Sequence, residues 1–360
     1  MLKRLDVYII KKFLGTFFLA IALIISIAIV FDVSEKIDDF MEHEAPLEAI
    51  VFDYYLNFIP YFANLFSPLF TFIAVIFFTS KLANNSEIIA IFASGISFHR
   101  LLRPYMISAG LIAVMSFLLS GYVIPPANTE RLDFQENYVK KKRSSSISKV
   151  HMEVSPGVIL YIESYEESDG KSRGIGASLE KFDGKTLVSR MTMRRLEWDT
   201  LNKWTAKNYM IRDFDGMYET LRRGVSLDTI IPVEPSEFFV YPGMHEQMNN
   251  QELKDYIAKQ SKRGVGNIKD FEIEYEKRFA FPFASFILTL IGVSLSSKKI
   301  KGGMGLNIGI GLLLSFTYIM FYTVSSSFAV SGTMSPFAAV WLPNVVYAVI
   351  AAVLYYKAPK

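Results

Sequence analysis

Long apolar runs separated by polar stretches are the dominant pattern in this chain. Six runs are long enough to cross a bilayer as helices, because about 20 apolar residues rising 1.5 Å each span a hydrocarbon core of roughly 30 Å. The predicted spans are approximately Phe13–Phe31, Tyr54–Ser80, Pro104–Ile124, Phe279–Ser297, Met304–Phe328 and Phe337–Tyr356. The first run is too long for the apolar part of a signal peptide, so we interpret it as a retained span.

The polar insert between the third and fourth spans, residues 125–278, follows a different pattern. Val158–Ile162 is typical of a buried strand, and Lys185–Trp198 and Lys203–Arg212 mix or alternate apolar and polar positions. Turn dipeptides punctuate the insert at Asp169-Gly170, Asp183-Gly184 and Asp215-Gly216. Short strands at this spacing predict an antiparallel sandwich or jelly roll.

The insert returns to the membrane through helical segments that begin at about residue 251. Gln251–Gln260 predicts a helix with Leu253 and Tyr256 on one face, and Gly264 and Gly266 are expected to end it. The segment 271–278 is predicted to lead helically into the fourth span.

These patterns predict an α-helical membrane protein of six transmembrane helices, arranged three plus three, with an inserted β-rich domain. Residues 1–124 hold the first three spans and a short helix at 84–98. Residues 125–278 form the β-rich domain with its helical return segment, and residues 279–360 hold the last three spans.

The distribution of basic residues predicts the orientation of the spans. The long insert, with 25 basic and 25 acidic residues, is exempt from this rule because of its length. Of the 13 basic residues outside it, 12 lie on one side, and only Lys36 lies on the other, together with eight acids from Asp32 to Asp53. Because cytoplasmic loops are rich in Lys and Arg, we expect both termini to be cytoplasmic. The insert is then periplasmic, in a bacterial inner membrane.

Several chemistries are disfavoured by the composition and the motifs. The chain has no cysteine and four histidines, so we predict no disulfide, no thiolate catalysis and no metal site. Gly170-Lys171-Ser172 and Gly184-Lys185-Thr186 lack the upstream glycine of a phosphate-binding loop. No nucleophile elbow occurs, so no catalytic residue is assigned and ATP hydrolysis is expected in a separate chain. We expect no nucleic-acid partner.

The loop between the second and third spans carries one acidic residue, Glu87, in a short amphipathic helix. Asn84, Asn85 or Ser86 could cap this helix, and Gly95 would end it. Two interpretations remain open. Glu87 could only stabilise the helix N-terminus while the apolar face lies in the bilayer interface, or the helix could dock in the groove of a partner. The apolar face consists of Ile88, Ile91 and Phe92.

Three features resemble the LptF/LptG (YjgP/YjgQ) family of lipopolysaccharide-export permeases. The first is Glu87–Ser97, similar to the family's coupling-helix motif. The second is Leu253-x-x-Tyr256-Ile257 through Gly264, followed by Tyr275-x-Lys277-x-Phe279-x-x-Pro282 at the entry to the fourth span. The third is the layout of three spans, insert and three spans, with Leu342-Pro343-Asn344 in the last span. The stretch 31–40 looks more like LptG than LptF.

The resemblance implies an ATP-driven exporter of the ABC type that extracts lipopolysaccharide from the inner membrane. The chain would form a heterodimer with a paralogous, LptF-like permease. A cytoplasmic LptB-like ATPase dimer, which holds ATP and Mg²⁺, would dock on the coupling helices. The insert would be a periplasmic β-jellyroll that passes the lipid to LptC-like and LptA-like jellyroll proteins, in the service of outer-membrane biogenesis.

The same resemblance implies roles for individual residues. Contact with the ATPase is expected from Glu87, Ile88, Ile91, Ser94 and Gly95. Lys36 and Arg131 are candidate contacts to the phosphates of the substrate, although Lys36 could instead pair with Asp32 or with Glu35 and Asp39. Leu312, Phe316 and Met320 share one face of the fifth span and are candidates for the substrate cavity or gate, the alternative being ordinary helix packing.

Two other functions remain open from the sequence. A non-transporting membrane scaffold could bind a periplasmic protein through the insert. An exporter of a different lipid could use the same layout, because an apolar cavity does not distinguish one set of acyl chains from another.

Overall fold

The structure, a computed structural model, describes residues 3–139, 145–168, 171–238, 243–263, 268–298 and 303–358. The predicted Asp169-Gly170 turn, and Gly264 and Gly266, lie outside the described residues. The chain divides into two compact units. The membrane unit comprises Met1–Val139, His245–Leu253 and Lys269–Lys360, and the β unit comprises Lys140–Met244 and Lys254–Ile268.

Six helical stretches of the described chain are long and apolar enough to cross a membrane, which confirms the six predicted spans. They lie at Arg4–Glu42, Leu47–Asn84, Phe98–Tyr138, Lys269–Ser296, Gly305–Val330 and Pro336–Tyr356, and two π-helical turns, Ile50–Tyr55 and Leu119–Val123, lie within the second and the third stretch. The helices extend beyond the apolar runs because backbone hydrogen bonding continues into polar residues, where hydropathy gives no signal. In chain order the helices are α1 (Arg4–Glu42), α2 (Leu47–Ala49), α3 (Leu56–Asn84), α4 (Glu87–Ala93), α5 (Phe98–Leu118), α6 (Ile124–Tyr138), α7 (Met244–Gln247), α8 (Asn250–Lys262), α9 (Lys269–Ser296), α10 (Gly303–Val330) and α11 (Pro336–Tyr356).

Helix α9 is the most buried span, and it packs against α3, α5 and α11. Small residues allow the close approach, as is usual where helices pack inside a bilayer. A Cβ atom on Gly292 would lie 2.7 Å from Cγ1 of Val75 and 3.2 Å from the Phe72 ring. Gly311 of α10 meets Ile76 of α3 in a similarly close contact. The α3–α9 and α3–α10 contacts therefore depend on glycine.

Replacing Gly292 with alanine is expected to lower the stability of the membrane unit by about 1–3 kcal/mol, the usual cost of overpacking. Val75 is β-branched and cannot easily rotate away from the added methyl group. Gly309→Ala is the matched control, because a Cβ there meets nothing within 4 Å. Thermal unfolding of the detergent-purified variants measures both effects, and equal melting temperatures would contradict the expectation.

Polar side chains join several spans within the apolar region. The Asn344 amide donates to the carbonyl of Ala280 at 2.8 Å, and its oxygen accepts from the Tyr318 hydroxyl at 2.8 Å. Asn344 of the Leu342-Pro343-Asn344 motif thus connects α11 to both α9 and α10. Such hydrogen bonds fix the register of helices that apolar contacts alone would leave free to slide.

In the described part of the β unit, six antiparallel strands form one sheet and lie side by side in the order in which they follow along the chain. This confirms an inserted β domain, and among the described residues the sheet is a single meander without the crossover connections of a two-sheet sandwich. Its core includes Tyr165, Trp204 and Phe238, and the Trp204 indole donates to the Val233 carbonyl at 3.1 Å. The strands are β1 (Ser145–Ser155), β2 (Val158–Ser168), β3 (Lys171–Asp183), β4 (Thr186–Thr200), β5 (Lys203–Asp215) and β6 (Tyr218–Ile230).

Two of the predicted turns are tight hairpin connections. Asp183 pairs with Thr186, and Asp215 pairs with Tyr218, so each loop has two residues. Gly184 and Gly216 hold the positive φ angles, +61° and +60°, that such turns require. Strands β5 and β6 are also joined by an exposed ion pair of 2.6 Å between Arg212 and Glu219.

Helix α8 corresponds to the predicted Gln251–Gln260 helix. Asn249 caps it, since its side-chain oxygen accepts from the backbone amides of Gln251 and Glu252 at 2.9 and 3.0 Å. The Glu252 carboxylate in turn accepts from the Asn249 amide at 2.9 Å, which completes a capping box. The first turn of α8 belongs to the membrane unit and the remainder to the β unit.

Candidate functional site

Helix α4 is a seven-residue helix in the short connection between α3 and α5. Ser86 precedes it in the left-handed region with φ +61°, and its side chain makes no cap hydrogen bond. Asn85 donates instead to the Glu87 carboxylate at 3.1 Å. At the other end, the amides of Gly95 and Ile96 donate to the carbonyls of Phe92 and Ile91, and Gly95 has φ +82°. This Schellman motif fixes where the helix stops.

The two faces of α4 differ in what they contact. Ile88 is only 1% exposed and belongs to the core cluster that contains Ile9 and Phe13 of α1 and Leu101 of α5. The exposed face instead presents Ile89, Ala90, Ala93, Ser94 and Gly95, with Glu87 at its edge. The prediction that Ile88 contacts a partner is wrong, because this side chain is enclosed by its own chain. Ile89, which the sequence analysis left out, lies on the surface.

An ion pair connects the start of α1 to the start of α5. The Arg100 guanidinium donates two hydrogen bonds of 2.7 Å to the Asp6 carboxylate, which is almost fully buried. Asp6 also accepts from the Lys3 amide at 2.8 Å, and Ser97 caps α5 by accepting from the Arg100 amide. This ion pair was not predicted from the sequence. The signal that could have found it is an isolated acid in the first turn of a span whose surrounding residues are basic.

Arg100→Ala is expected to lower the melting temperature of the membrane unit, because it leaves the Asp6 carboxylate without its charged donor. Asp6→Asn should cost less, since the amide retains part of the hydrogen bonding. A double-mutant cycle on the melting temperature measures the coupling between the two residues. Strictly additive effects of the two substitutions would show that the pair contributes nothing of its own.

Lys36 is held inside the helix bundle at the other end of α1. Its ammonium donates to the Asp32 carboxylate and to the Tyr54 hydroxyl, and the Tyr55 hydroxyl donates to the same carboxylate at 3.1 Å. The sequence left Asp32, Glu35 and Asp39 open as ion-pair partners of Lys36, and in the structure the partner is Asp32. The Lys36 ammonium therefore has two donated hydrogen bonds within its own chain, and it is a half-buried group.

Arg131 is buried in a cluster of ionic side chains that we call the charged pocket: Tyr61, Arg131, Glu246, Glu274, Lys277 and Arg278. The Glu246 carboxylate accepts from the Tyr61 hydroxyl at 3.1 Å and lies 3.9 Å from the Arg131 guanidinium. That guanidinium stacks 4.7 Å from the centre of the Tyr61 ring. Among the described residues, its Nε has no hydrogen-bond partner.

Arg278 is the most completely bonded member of the charged pocket, and its side chain is only 1% exposed. It donates to the Glu274 carboxylate at 3.2 Å, to the carbonyls of Met248 and His245 at 2.8 and 3.2 Å, and to the Asn250 side chain at 3.0 Å. The return segment His245–Leu253 is thereby fixed to α9. The role of Arg278 in holding this segment was not predicted from the sequence, where Arg278 was only the last residue of the insert.

A cavity of about 30 Å³ lies inside the charged pocket, where Lys277 donates to Glu274 at 3.1 Å. A polar cavity of this size has room for ordered water. Two cationic and two anionic side chains line this cavity, Lys277, Arg278, Glu246 and Glu274, so their charges balance, and Arg131 is not part of the lining.

The first and fifth spans are the least covered helices of the membrane unit. Only 22% of the most apolar window of α1, and of that of α10, is buried, compared with 61% for α9. Leu312, Phe316 and Met320 are 46%, 66% and 55% exposed on α10. The structure thus places these three residues on an open apolar face rather than in helix packing within this chain.

Six spans, three before and three after an inserted antiparallel sheet in the sequence, and a short helix with an exposed face between the second and third spans define a polytopic membrane protein of the permease type. The family model of the lipopolysaccharide export system permease LptF/LptG matches residues 7–357. The chain therefore belongs to this family, and it is a multi-pass inner-membrane protein of lipopolysaccharide export. A comparison with curated proteins gave no match. The match covers LptF and LptG together, so the assignment to the LptG side stays a prediction.

Proposed function

We propose that this chain is the permease subunit of an ATP-driven, ABC-type exporter that extracts lipopolysaccharide from the inner membrane. The observation that carries the proposal is the division of α4 into an anchored face and an exposed face. Ile88 fastens the helix to its own core, while Glu87, Ile89 and Ser94 are accessible to a partner. The partner is a cytoplasmic LptB-like ATPase dimer, which binds ATP and Mg²⁺.

Movement of α4 reaches the spans through the residues that it contacts. Ile88 shares one core cluster with residues of α1 and α5, and the Asp6–Arg100 ion pair connects those two helices directly. Packed cores move as bodies because they are close-packed and resist compression. A displacement of α4 by the ATPase therefore shifts α1 and α5 together.

The open faces of α1 and α10 suit contact with a second permease and with the lipid substrate. An LptF-like paralogue in a heterodimer would cover part of these faces and enclose a cavity lined by Leu312, Phe316 and Met320. Extraction needs ATP because each CH₂ group withdrawn from the bilayer costs about 0.8 kcal/mol. Closure of the cavity would drive the acyl chains out of the membrane.

Arg131 is the better candidate for a contact with the substrate phosphates. Its Nε lacks a partner among the described residues, and its guanidinium lies as far as 3.9 Å from the Glu246 carboxylate. Lys36 is already engaged by Asp32 and Tyr54 and would have to exchange these bonds for a phosphate. With both termini cytoplasmic, the ends of the spans that carry Lys36 and Arg131 would face the periplasm, and the β unit would be periplasmic. The β unit would pass the lipid to LptC-like and LptA-like jellyroll proteins.

The test is co-purification followed by reconstitution. The wild-type protein, solubilised from native membranes, should bring down an ATPase and a second permease. The complex in proteoliposomes should release lipopolysaccharide to an added periplasmic acceptor only when ATP and Mg²⁺ are present. If only a periplasmic protein co-purifies, and depletion of the chain leaves lipopolysaccharide at the cell surface unchanged, the chain is a scaffold and the proposal is wrong.

A further inference from the structure

An apolar groove runs along the outside of the membrane unit between α5 and α9. It has a volume of about 520 Å³. A Cβ atom on Gly110 would lie 3.6 Å from the Phe286 ring, so the absence of a side chain at Gly110 leaves space for the groove. The rings of Phe117 and Phe279, 5.7 Å apart, line one end. The lining residues are Ile107, Gly110, Leu111, Ala113, Val114, Phe117, Phe279, Pro282, Phe283 and Phe286.

The length of the groove along α5 matches one lipid leaflet. From Ile107 to Phe117 the α5 helix rises by about 15 Å, which is half of a hydrocarbon core of roughly 30 Å. The groove starts about 6 Å along the helix axis from Arg103, which lies just before the apolar run. The lining is apolar throughout. A single acyl chain therefore fits it in both length and polarity.

Arg103 supplies a charge at the end of the groove where α5 begins. It lies on the same helical face as Ile107, Leu111 and Val114, which follow at positions i+4, i+8 and i+11. Its side chain is exposed, and among the described residues no hydrogen bond or ion pair engages it. An arginine at the hydrocarbon boundary extends its guanidinium towards the lipid phosphates. The groove thus combines an acyl-chain channel with a free cation at headgroup level.

We propose that this groove binds one anionic glycerophospholipid, with an acyl chain along α5 and α9 and its phosphate on Arg103. The lipid would be a bound component of the permease, separate from the transported lipid. The groove holds a single chain, and it is lined by α5 and α9 rather than by the open faces of α1 and α10. An apolar helix of a partner protein is the competing occupant, but it would supply no anion for Arg103.

The test uses phosphatidylglycerol with a photoactivatable group in its acyl chain, in vesicles that contain the full-length protein. Wild type should be labelled on the lining residues of α5 and α9, and more strongly than by the matching phosphatidylcholine probe. Arg103→Gln should reduce the labelling roughly fivefold, which corresponds to about 1 kcal/mol for one basic residue near a lipid surface. Gly110→Leu should abolish it by filling the groove.

Val114→Phe is a second filling variant, since Val114 lies on the exposed rim, 59% exposed, where a larger side chain cannot disturb the core. Lys12→Gln and Val349→Phe are the controls for charge and for bulk, because both residues are exposed on other helices. Equal labelling by the two lipids, or labelling that Arg103→Gln leaves unchanged, would overturn the proposal. Crosslinks from the groove to a partner helix in place of lipid would overturn it as well.

Discussion

Glu87→Lys is expected to abolish ATP-driven lipopolysaccharide release while leaving the protein folded. Reversing the charge of Glu87, at the edge of the exposed face of α4, replaces attraction by repulsion, which costs about 2–5 kcal/mol at a protein interface and lowers complex formation roughly 30-fold or more. Glu87→Gln, which keeps the shape and loses the charge, should give an intermediate effect. The measurement is the amount of ATPase that co-purifies with each variant, together with release from proteoliposomes.

Glu48→Lys is the matched control for this experiment. Glu48 is an exposed carboxylate in the first turn of α2, so the same substitution removes the same interaction with a helix N-terminus. That interaction contributes only about 0.3–1 kcal/mol. If Glu87→Lys behaves like Glu48→Lys in ATPase binding and in growth, Glu87 serves its own helix only, and the docking role is refuted.

Arg278→Leu is expected to have the largest effect on stability of any single substitution in the charged pocket. Removal of the guanidinium leaves the Glu274 carboxylate with less compensation and leaves the carbonyls of His245 and Met248 without a donor. Breaking a buried ionic network by deleting one partner costs about 3–5 kcal/mol. The variant should therefore fail to accumulate, or it should elute as aggregate in size-exclusion chromatography.

Two further variants separate this effect from a general loss of positive charge. Arg278→Lys should retain some protein, because the ammonium can still reach Glu274, but it cannot serve all four acceptors. Lys269→Ala should change stability by no more than about 0.5 kcal/mol, since Lys269 forms a partly exposed ion pair with Glu272. A melting temperature for Arg278→Leu close to that of Lys269→Ala would contradict the role of Arg278 as the clamp on the return segment.

The spans and the position of α4 could be predicted from the sequence because they depend on local signals. A run of 20 apolar residues needs no partner to be interpreted, and the glycine terminus at Gly95 acts within one turn. The two aspartate–glycine hairpins, at Gly184 and Gly216, were predictable for the same reason. In each case the energy that decides the structure comes from neighbours in sequence.

The faces of α4 and the charged pocket could not be predicted in this way. In a helix of seven residues, Ile88 and Ile89 have the same hydropathy, and only contact with α1 and α5 decides which of them is enclosed. The Asp6–Arg100 pair joins residues 94 positions apart, and Tyr61 meets Glu246 across 185 positions. The strand order of the β unit and the choice between LptF and LptG also depend on information that lies outside local patterns.

The consecutive strand order of the β sheet affects how the subunit must assemble with its partners. Among the residues that the structure describes, the meander leaves β1 and β6 as edge strands, and β6 exposes Tyr218, Leu221, Val225 and Ile230. An exposed apolar edge pairs readily with any extended chain, including another copy of itself. The subunit is therefore prone to aggregation after the sheet has folded and before a partner protein covers β6. When the chain is synthesised in excess over its partners, we expect irreversible aggregation of the surplus.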